Sequence, residues 1–167
     1  MCIRDRGRRV LITAGPTHEA IDPVRFIGNH SSGKMGFALA NVAIELGAEV
    51  ILISGPSEEK ISHPSISVIK VLSAEKMFEK VKKYYSNVDI AISAAAVSDF
   101  KPKNYKAQKI KKNQNIQSIE LSPTKDILAY MGENKKDQYL VGFALSLIHI
   151  CRCRRYSLCR SRWSPYH

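Results

Sequence analysis

From Arg25 to Gly36 the chain runs Arg-Phe-Ile-Gly-Asn-His-Ser-Ser-Gly-Lys-Met-Gly, and this stretch constrains its surroundings more than any other. An arginine, an asparagine, a histidine and two serines stand directly before a helical period. Met35, Ala38, Leu39, Val42, Ala43 and Leu46 recur at the spacing of one apolar helix face. Gly47 follows where a left-handed residue can close the helix. The polar run is therefore expected over the unpaired N–H groups at the positive end of a helix dipole, a setting suited to phosphate or carboxylate.

Two nucleotide-binding motifs come close and fail. Gly28 and Gly33-Lys34 have the spacing of a P-loop, but Met35 stands where a Ser or Thr hydroxyl must reach Mg²⁺, and the preceding strand ends too early, near Ala14. The dinucleotide fingerprint G-x-G-x-x-G is absent, with only Gly33-x-x-Gly36 present. Tyr105-x-x-x-Lys109 mimics a dehydrogenase Tyr/Lys pair without the firm helix and glycine-rich first turn such a pair needs.

With 167 residues, 44% hydrophobic and 25% charged, the chain can bury the core of one domain. No apolar run nears the roughly 20 residues of a membrane helix, and no signal-type apolar region opens the chain, so a cytoplasmic location is expected. The net charge of +11 is concentrated at the ends. Arg152, Arg154, Arg155, Arg160 and Arg162 contribute five of these charges with no acid among them, and Arg4 and Arg6 against Asp5 add a net one. Cys2, Cys151, Cys153, Cys159 and Trp163 also lie in these flanks, and the cysteine spacing matches no usual zinc pattern. Residues 1–6 and 146–167 are accordingly expected to be non-native leader and tail around a domain at 7–145. A basic nucleic-acid-binding tail is the alternative for the same composition.

Along the domain, Val10–Ala14 reads as a buried strand, and a long loop carries His18, Glu19, Asp22 and Pro23. Glu49–Ser54, Ile66–Val71, Val88–Ser93 and Tyr139–Ala144 read as further strands. Ser73 is expected to cap a helix with Met77, Phe78, Val81, Tyr84 and Tyr85 inside. Residues 101–116 read as a Lys/Asn/Gln-rich loop, Gln117–Leu121 as a short strand, and Ser122-Pro123 as the start of a helix closed by Gly132. Alternating strands and helices predict an α/β domain: a Rossmann-like, doubly wound, mainly parallel sheet, with its C-terminal part missing. Ligands of such sheets collect beyond the strand C-termini, which brings Thr13–Thr17, Ala94–Asp99 and Phe143-Ala144 to one rim.

Ile12-Thr13-Ala14-Gly15-Pro16-Thr17, Asp22 through Gly36, Ala94-Ala95-Ala96-Val97-Ser98-Asp99, Lys109-Ile110-Lys111-Lys112 and Val141-Gly142-Phe143-Ala144 together resemble phosphopantothenate–cysteine ligase, also called phosphopantothenoylcysteine synthetase. In most bacteria this enzyme is the C-terminal half of a bifunctional coenzyme A biosynthesis protein. The resemblance implies a ligase that joins 4′-phosphopantothenate to L-cysteine through an acyl-cytidylate, consuming CTP with Mg²⁺. It implies Asn29, Lys109 and Arg25 as catalytic: Lys109 for the activation step, Asn29 donating to the acyl oxygen, and Arg25 supporting that pocket or the substrate's anionic groups. It implies ligand contacts at Ser31, Ser32, Gly33, Ala95, Asp99, Ser122, Pro123, Thr124, Lys125 and Phe143, and no protein-borne metal cage. It also implies a homodimer in the intact protein, with neither nucleic acid nor membrane as partner. FMN belongs to the upstream decarboxylase domain of that family and is not expected here. The family pattern continues beyond Leu145, so this chain by itself is expected to be inactive.

Without the resemblance, Lys109 reads as a solvated charge, Asp99 as a turn cap, Phe143 as core and His30 as structural. The rival readings are an NAD(P)-dependent Rossmann reductase and a non-catalytic nucleotide- or RNA-binding module.

Overall fold

The computed structural model describes residues 7–111 and 118–144, together with the backbone of 152–155. Its centre is a run of parallel strands: β1 (Arg9–Ala14), β4 (Glu49–Ser54), β5 (Ile66–Lys70), β6 (Ile90–Ser93) and β9 (Tyr139–Ala144). A short strand β10 (Arg152–Arg155) pairs antiparallel with β9, giving the order β10-β9-β6-β1-β4-β5. Two small antiparallel ribbons sit outside this sheet: β2 (His18–Ala20) with β3 (Phe26–Gly28), and β7 (Phe100–Pro102) with β8 (Leu121–Pro123). The helices are α1 (Lys34–Glu45), α2 (Ala74–Tyr84) and α3 (Ile127–Glu133). The Rossmann-like expectation holds.

β1 shows why both faces of the sheet are covered. Its side chains alternate, so Val10, Ile12 and Ala14 join Phe37, Ala40, Ala48, Val50 and Leu52 on one side. On the other side Leu11 joins Met77, Val81, Tyr85, Ala91, Ile127 and Met131. Tyr85 has its ring in this second core and donates its hydroxyl to the Met131 carbonyl at 2.7 Å, tying the end of α2 to α3. Burial, and to a lesser extent nearby Tyr130, pushes that phenol up from its ordinary value. Ser73 caps α2 as expected, accepting from the Lys76 N–H at 3.3 Å. The Ala74 N–H is taken by Glu19, a buried carboxylate reaching across from β2 at 2.7 Å. A negative group at a helix N-terminus is favourable, and this one pins the β2–β3 ribbon to α2.

Several boundaries differ from the sequence reading. The α1 period is right but its face is rotated: Gly36, Phe37 and Ala40 are buried and the expected Leu39 and Ala43 pack against the core, whereas Met35, Val42 and Leu46 are 46%, 52% and 46% exposed. The phase is set by Gly36, which lies against β1; a Cβ on it would stand 2.4 Å from the Ala14 Cβ. The loop after β1 contains the β2–β3 ribbon, because Glu19 and Asp22 bury their polar groups in specific bonds. Ser122-Pro123 does not begin α3 but pairs with Phe100-Lys101; Asp126 is the cap, accepting from the Ala129 N–H at 2.8 Å. Gly132 lies inside α3, which Asn134 ends. The fourth expected strand starts at Ile90, not Val88. Phe100–Pro102 is strand where a loop was expected from Lys101, while residues 112–117 of that loop lie outside the described residues, as do 1–6.

The close approach of α1 to β1 generates a first prediction. Gly36→Ala forces a methyl into the Ala14 side chain and should lower unfolding free energy by about 1–3 kcal/mol, read from urea denaturation at unchanged slope. Stability equal to or above the parent would show that α1 can shift freely on the sheet.

Candidate functional site

The chain passes from β1 through α1 to β4 on one side of β1, then returns through α2 to β6 on its other side. The connections therefore diverge between β1 and β6, and at such a switch point the strand C-termini leave a crevice for ligands. Here the two strand extensions continue to bond beyond the sheet proper. Ala94 N–H donates to Thr13 O at 3.1 Å, Ala96 N–H to Gly15 O at 2.9 Å and Thr17 N–H to Ala96 O at 3.3 Å. Thr17 is fully buried, and its hydroxyl oxygen accepts from the Ser98 N–H at 2.9 Å. The crest is thus a rigid backbone ridge.

Asn29 sits on that ridge. Its Nδ2 donates to Val97 O at 2.9 Å and, more weakly, to Ala96 O at 3.4 Å. Both partners are carbonyls, which only accept, so the amide orientation follows from chemistry. The expected donation from Nδ2 to an acyl oxygen therefore has a competitor; Oδ1 is the atom Asn29 offers a ligand in this arrangement. Beyond it, Ser31 and Ser32 turn their hydroxyls to the Gly33 and Lys34 N–H groups at 3.3 and 3.4 Å. Gly33, the N-cap residue, has φ of 81°, a left-handed conformation that favours glycine, and offers α1 no side-chain cap; Ser32 reaches only the Lys34 N–H, and the first turn holds no acidic residue. The loop after β4 closes this end, Ser57 donating its hydroxyl to Ser32 O at 2.6 Å.

These residues enclose a cleft of about 730 Å³, lined by Asn29, Ser31 and Ser32 with His18, Phe26 and Glu59 among others. His18 and Phe26 stack at 3.7 Å between centroids and form an aromatic wall. A larger hollow of about 890 Å³ opens beside it, around Phe37, Ile61 and Val71. The expected site residues fall into groups around the crest. Asn29, Ser31, Ser32 and Gly33 are together. Ala95 lies on the crest, its N–H 3.4 Å from the Thr13 hydroxyl. Ser122 and Pro123 belong to β8, and Asp99, Thr124 and Lys125 flank the β7–β8 ribbon. Thr124 ties it to the crest, its hydroxyl donating to Ser98 O at 2.6 Å and its N–H to Asp99 O at 2.9 Å. Lys125 leans away, 4.0 Å from Glu75 and over the Phe78 ring. Phe143 is 44% exposed on β9 rather than core. Arg25 and Lys109 do not line the cleft.

Arg25 and the lysine segment meet at Asp22, which sequence reasoning placed in a loop without a role. Asp22 is 2% exposed. Its Oδ1 accepts from the Val24 and Arg25 N–H groups at 2.8 and 2.9 Å. Its Oδ2 faces the Ile110 N–H at 3.2 Å and the Arg25 guanidinium at 3.0 Å. Arg25 in turn donates to Ile110 O at 2.7 Å. Burial raises the carboxyl's pKa, but the Val24, Ile110 and Arg25 N–H bonds and the Arg25 charge outweigh it, holding the group below its ordinary value. The turn within residues 22–25 was readable as an Asp-Pro pattern. The bond to Ile110 was not.

A parallel sheet whose strand order reverses at a crest beside a glycine-led helix start defines an open α/β, Rossmann-like domain. Residues 5–155 match the family described as the DNA/pantothenate metabolism flavoprotein C-terminal domain. The chain is 53% identical over 138 residues to the coenzyme A biosynthesis bifunctional protein CoaBC of Bacillus subtilis (strain 168), a match covering 83% of this chain and 34% of that protein. With CoaBC of Borreliella burgdorferi the identity is 44% over 140 residues, covering 83% and 36%. The crystal structure of the C-terminal domain of a CoaBC protein superimposes with a TM-score of 0.70 at 49% identity, covering 81% of this chain and 63% of that one. The chain belongs to the DNA/pantothenate metabolism flavoprotein C-terminal domain family. It spans about a third of the length of the curated relatives it matches.

Among the described residues no three His, Cys, Asp or Glu side chains converge as metal ligands, and no helix is long and apolar enough to cross a membrane.

The Asp22 contact carries a pH prediction. A carboxyl whose folded pKa is depressed stabilises its contact fully above the ordinary value of 3.8 and loses it as pH falls through the lower folded value. Among the described residues, Arg25 is the charged group that contributes to the shift. The Ile110 amide resonance should therefore hold steady from neutral pH down to about 4 and move only below that. A midpoint above the ordinary 3.8 would contradict the assignment.

Proposed function

We propose that this chain is the nucleotide- and acyl-handling portion of a ligase that joins 4′-phosphopantothenate to L-cysteine. The supporting observation is the site's arrangement: Asn29 fixed on the β1–β6 ridge beside a glycine-led helix start and two serine hydroxyls, in a chain of this family. A carboxylate does not accept an amine at neutral pH, so it is first activated. A carboxylate oxygen of 4′-phosphopantothenate attacks the α-phosphorus of CTP, the bond to the β-phosphate oxygen breaks, and pyrophosphate leaves. The cysteine amine then attacks the acyl carbon, CMP leaves with the bonding pair, and the ammonium proton passes to solvent. Both steps gather negative charge in a small volume, where fixed N–H donors and cations contribute most.

In this reading the first-turn N–H groups of α1, with Ser31, Ser32 and Gly33, face phosphate. Lys109 supplies a point cation on a flexible stem that follows the phosphates as charge moves. Asn29 holds the acyl intermediate, and Ala95, Asp99, Ser122, Pro123, Thr124, Lys125 and Phe143 contact the nucleotide. Mg²⁺, entering with the nucleotide, would neutralise part of the triphosphate charge. CTP is the proposed nucleotide, and a homodimer the proposed assembly.

The test is pyrophosphate release from CTP by the full-length protein, with and without 4′-phosphopantothenate. Release that depends on the acid supports the ligase; tight NADPH binding with no response to CTP would overturn it. Lys109→Ala should cut the release rate by about a hundredfold or more. Asn29→Asp sets an oxygen against the Val97 and Ala96 carbonyls in place of Nδ2, so CTP affinity should persist while turnover falls by a similar factor. Unchanged rates in both variants would refute the assignment.

A further inference from the structure

Asp22 is a buried carboxylate whose chemistry the proposed reaction leaves unused. It is a carboxylate buried to 2% exposure that gathers four donors, from residues as distant in sequence as Arg25 and Ile110. Two of those donors are local: the Val24 and Arg25 N–H groups fold residues 22–25 into a turn on Oδ1. The other two, the Ile110 N–H and the Arg25 guanidinium, meet on Oδ2. The Ile110 carbonyl accepts from the same guanidinium, and the Lys106 N–H donates to Ile21 O at 3.0 Å. The segment carrying Lys106, Lys109 and Lys111 is thus attached to residues 21–25 at two points. It is a cationic segment held beside a cationic Arg25, and the buried carboxylate is what makes that juxtaposition favourable. From Arg25 the chain enters β3, whose three residues end at Gly28, immediately before Asn29. The β2–β3 ribbon is in turn fixed to α2 through Glu19.

We propose that Asp22 is a positioning residue: its carboxylate ties the Lys109 segment to the strand leading to Asn29, so that the two groups assigned to the two half-reactions are held in one frame. The roles of Lys109 and Asn29 rest on the function proposed above; the tether itself does not. A loose lysine stem samples many positions, and holding its backbone raises the fraction of time the ammonium faces phosphate.

Asp22→Asn in the full-length protein separates the two halves of this arrangement. Asparagine keeps one oxygen for the Val24 and Arg25 N–H groups, while its NH₂ turns a donor toward the Ile110 N–H and the guanidinium. The local turn survives and the tether does not. Native-state digestion with a lysine-specific protease should then cut after Lys109 and Lys111 about tenfold faster, with cleavage at lysines outside residues 106–112 unchanged. Pyrophosphate release should show kcat reduced about tenfold with KM for CTP little altered. Uniformly faster cleavage at every lysine would mean that Asp22 serves general stability, and would overturn the proposal. So would lower kcat with unchanged cleavage at Lys109 and Lys111, or no change in either. Should Asp22→Asn not fold, hydrogen exchange in the unmodified protein decides: the Ile110 amide should exchange about tenfold more slowly than those of Lys109 and Lys111, and equal rates would refute the tether. If the unmodified protein releases no pyrophosphate, the ligase reading falls, while cleavage and exchange still report on Asp22.

Discussion

Adjacent parallel strands ordinarily part company at their C-termini, and at a switch point their loops leave in opposite directions. In this protein β1 and β6 go on bonding past the end of the sheet, through Ala94 to Thr13, Ala96 to Gly15 and Thr17 to Ala96. The buried Thr17 hydroxyl completes the series by accepting from Ser98. Each buried N–H here needs a partner, since an unmatched one would cost about 1–3 kcal/mol. The extensions therefore form a ridge, about which much of the candidate site is arranged. Asn29 is fixed by its carbonyls, the β7–β8 ribbon attaches through Thr124, and the start of α1 lies alongside.

The fold was largely legible because its signals are periodic. Continuous apolar runs marked the central strands, and the helix with Met77, Val81 and Tyr85 inside kept its expected face. The α1 face was misread for a physical reason. Met35, Val42 and Leu46 share the helical spacing with the true inner face, and they are larger than Gly36 and Ala40. Where backbone approaches backbone closely, the residue at the contact is the smallest one, so counting bulk selects the wrong side. Local chemistry likewise decided the start of α3: proline suits a first helical turn, but Asp126 caps better, and Ser122-Pro123 was free to pair with Phe100-Lys101.

The candidate site divides along the same line. Asn29, Ser31, Ser32 and Gly33 were readable because a polar run before a helix has a local meaning. Thr17, the His18–Phe26 stack and the Asp22–Ile110 bond were not, since each gains its role from a partner brought near only by folding. Ile110 is 88 positions from Asp22 along the chain. The same geometry refines the chemistry expected of Asn29: with Nδ2 engaged by Val97, the residue meets a ligand through Oδ1 or must first release the ridge.

The proposed ligand site is formed by the ridge together with the glycine-led start of α1. A crystal structure of the full-length protein with CTP and 4′-phosphopantothenate tests this directly. Phosphate density is expected against the first-turn N–H groups of α1 and the Ser31–Gly33 backbone, with the acyl end within hydrogen-bonding distance of Asn29. Ligand density confined to the neighbouring hollow around Phe37, Ile61 and Val71, with the ridge bare, would contradict it.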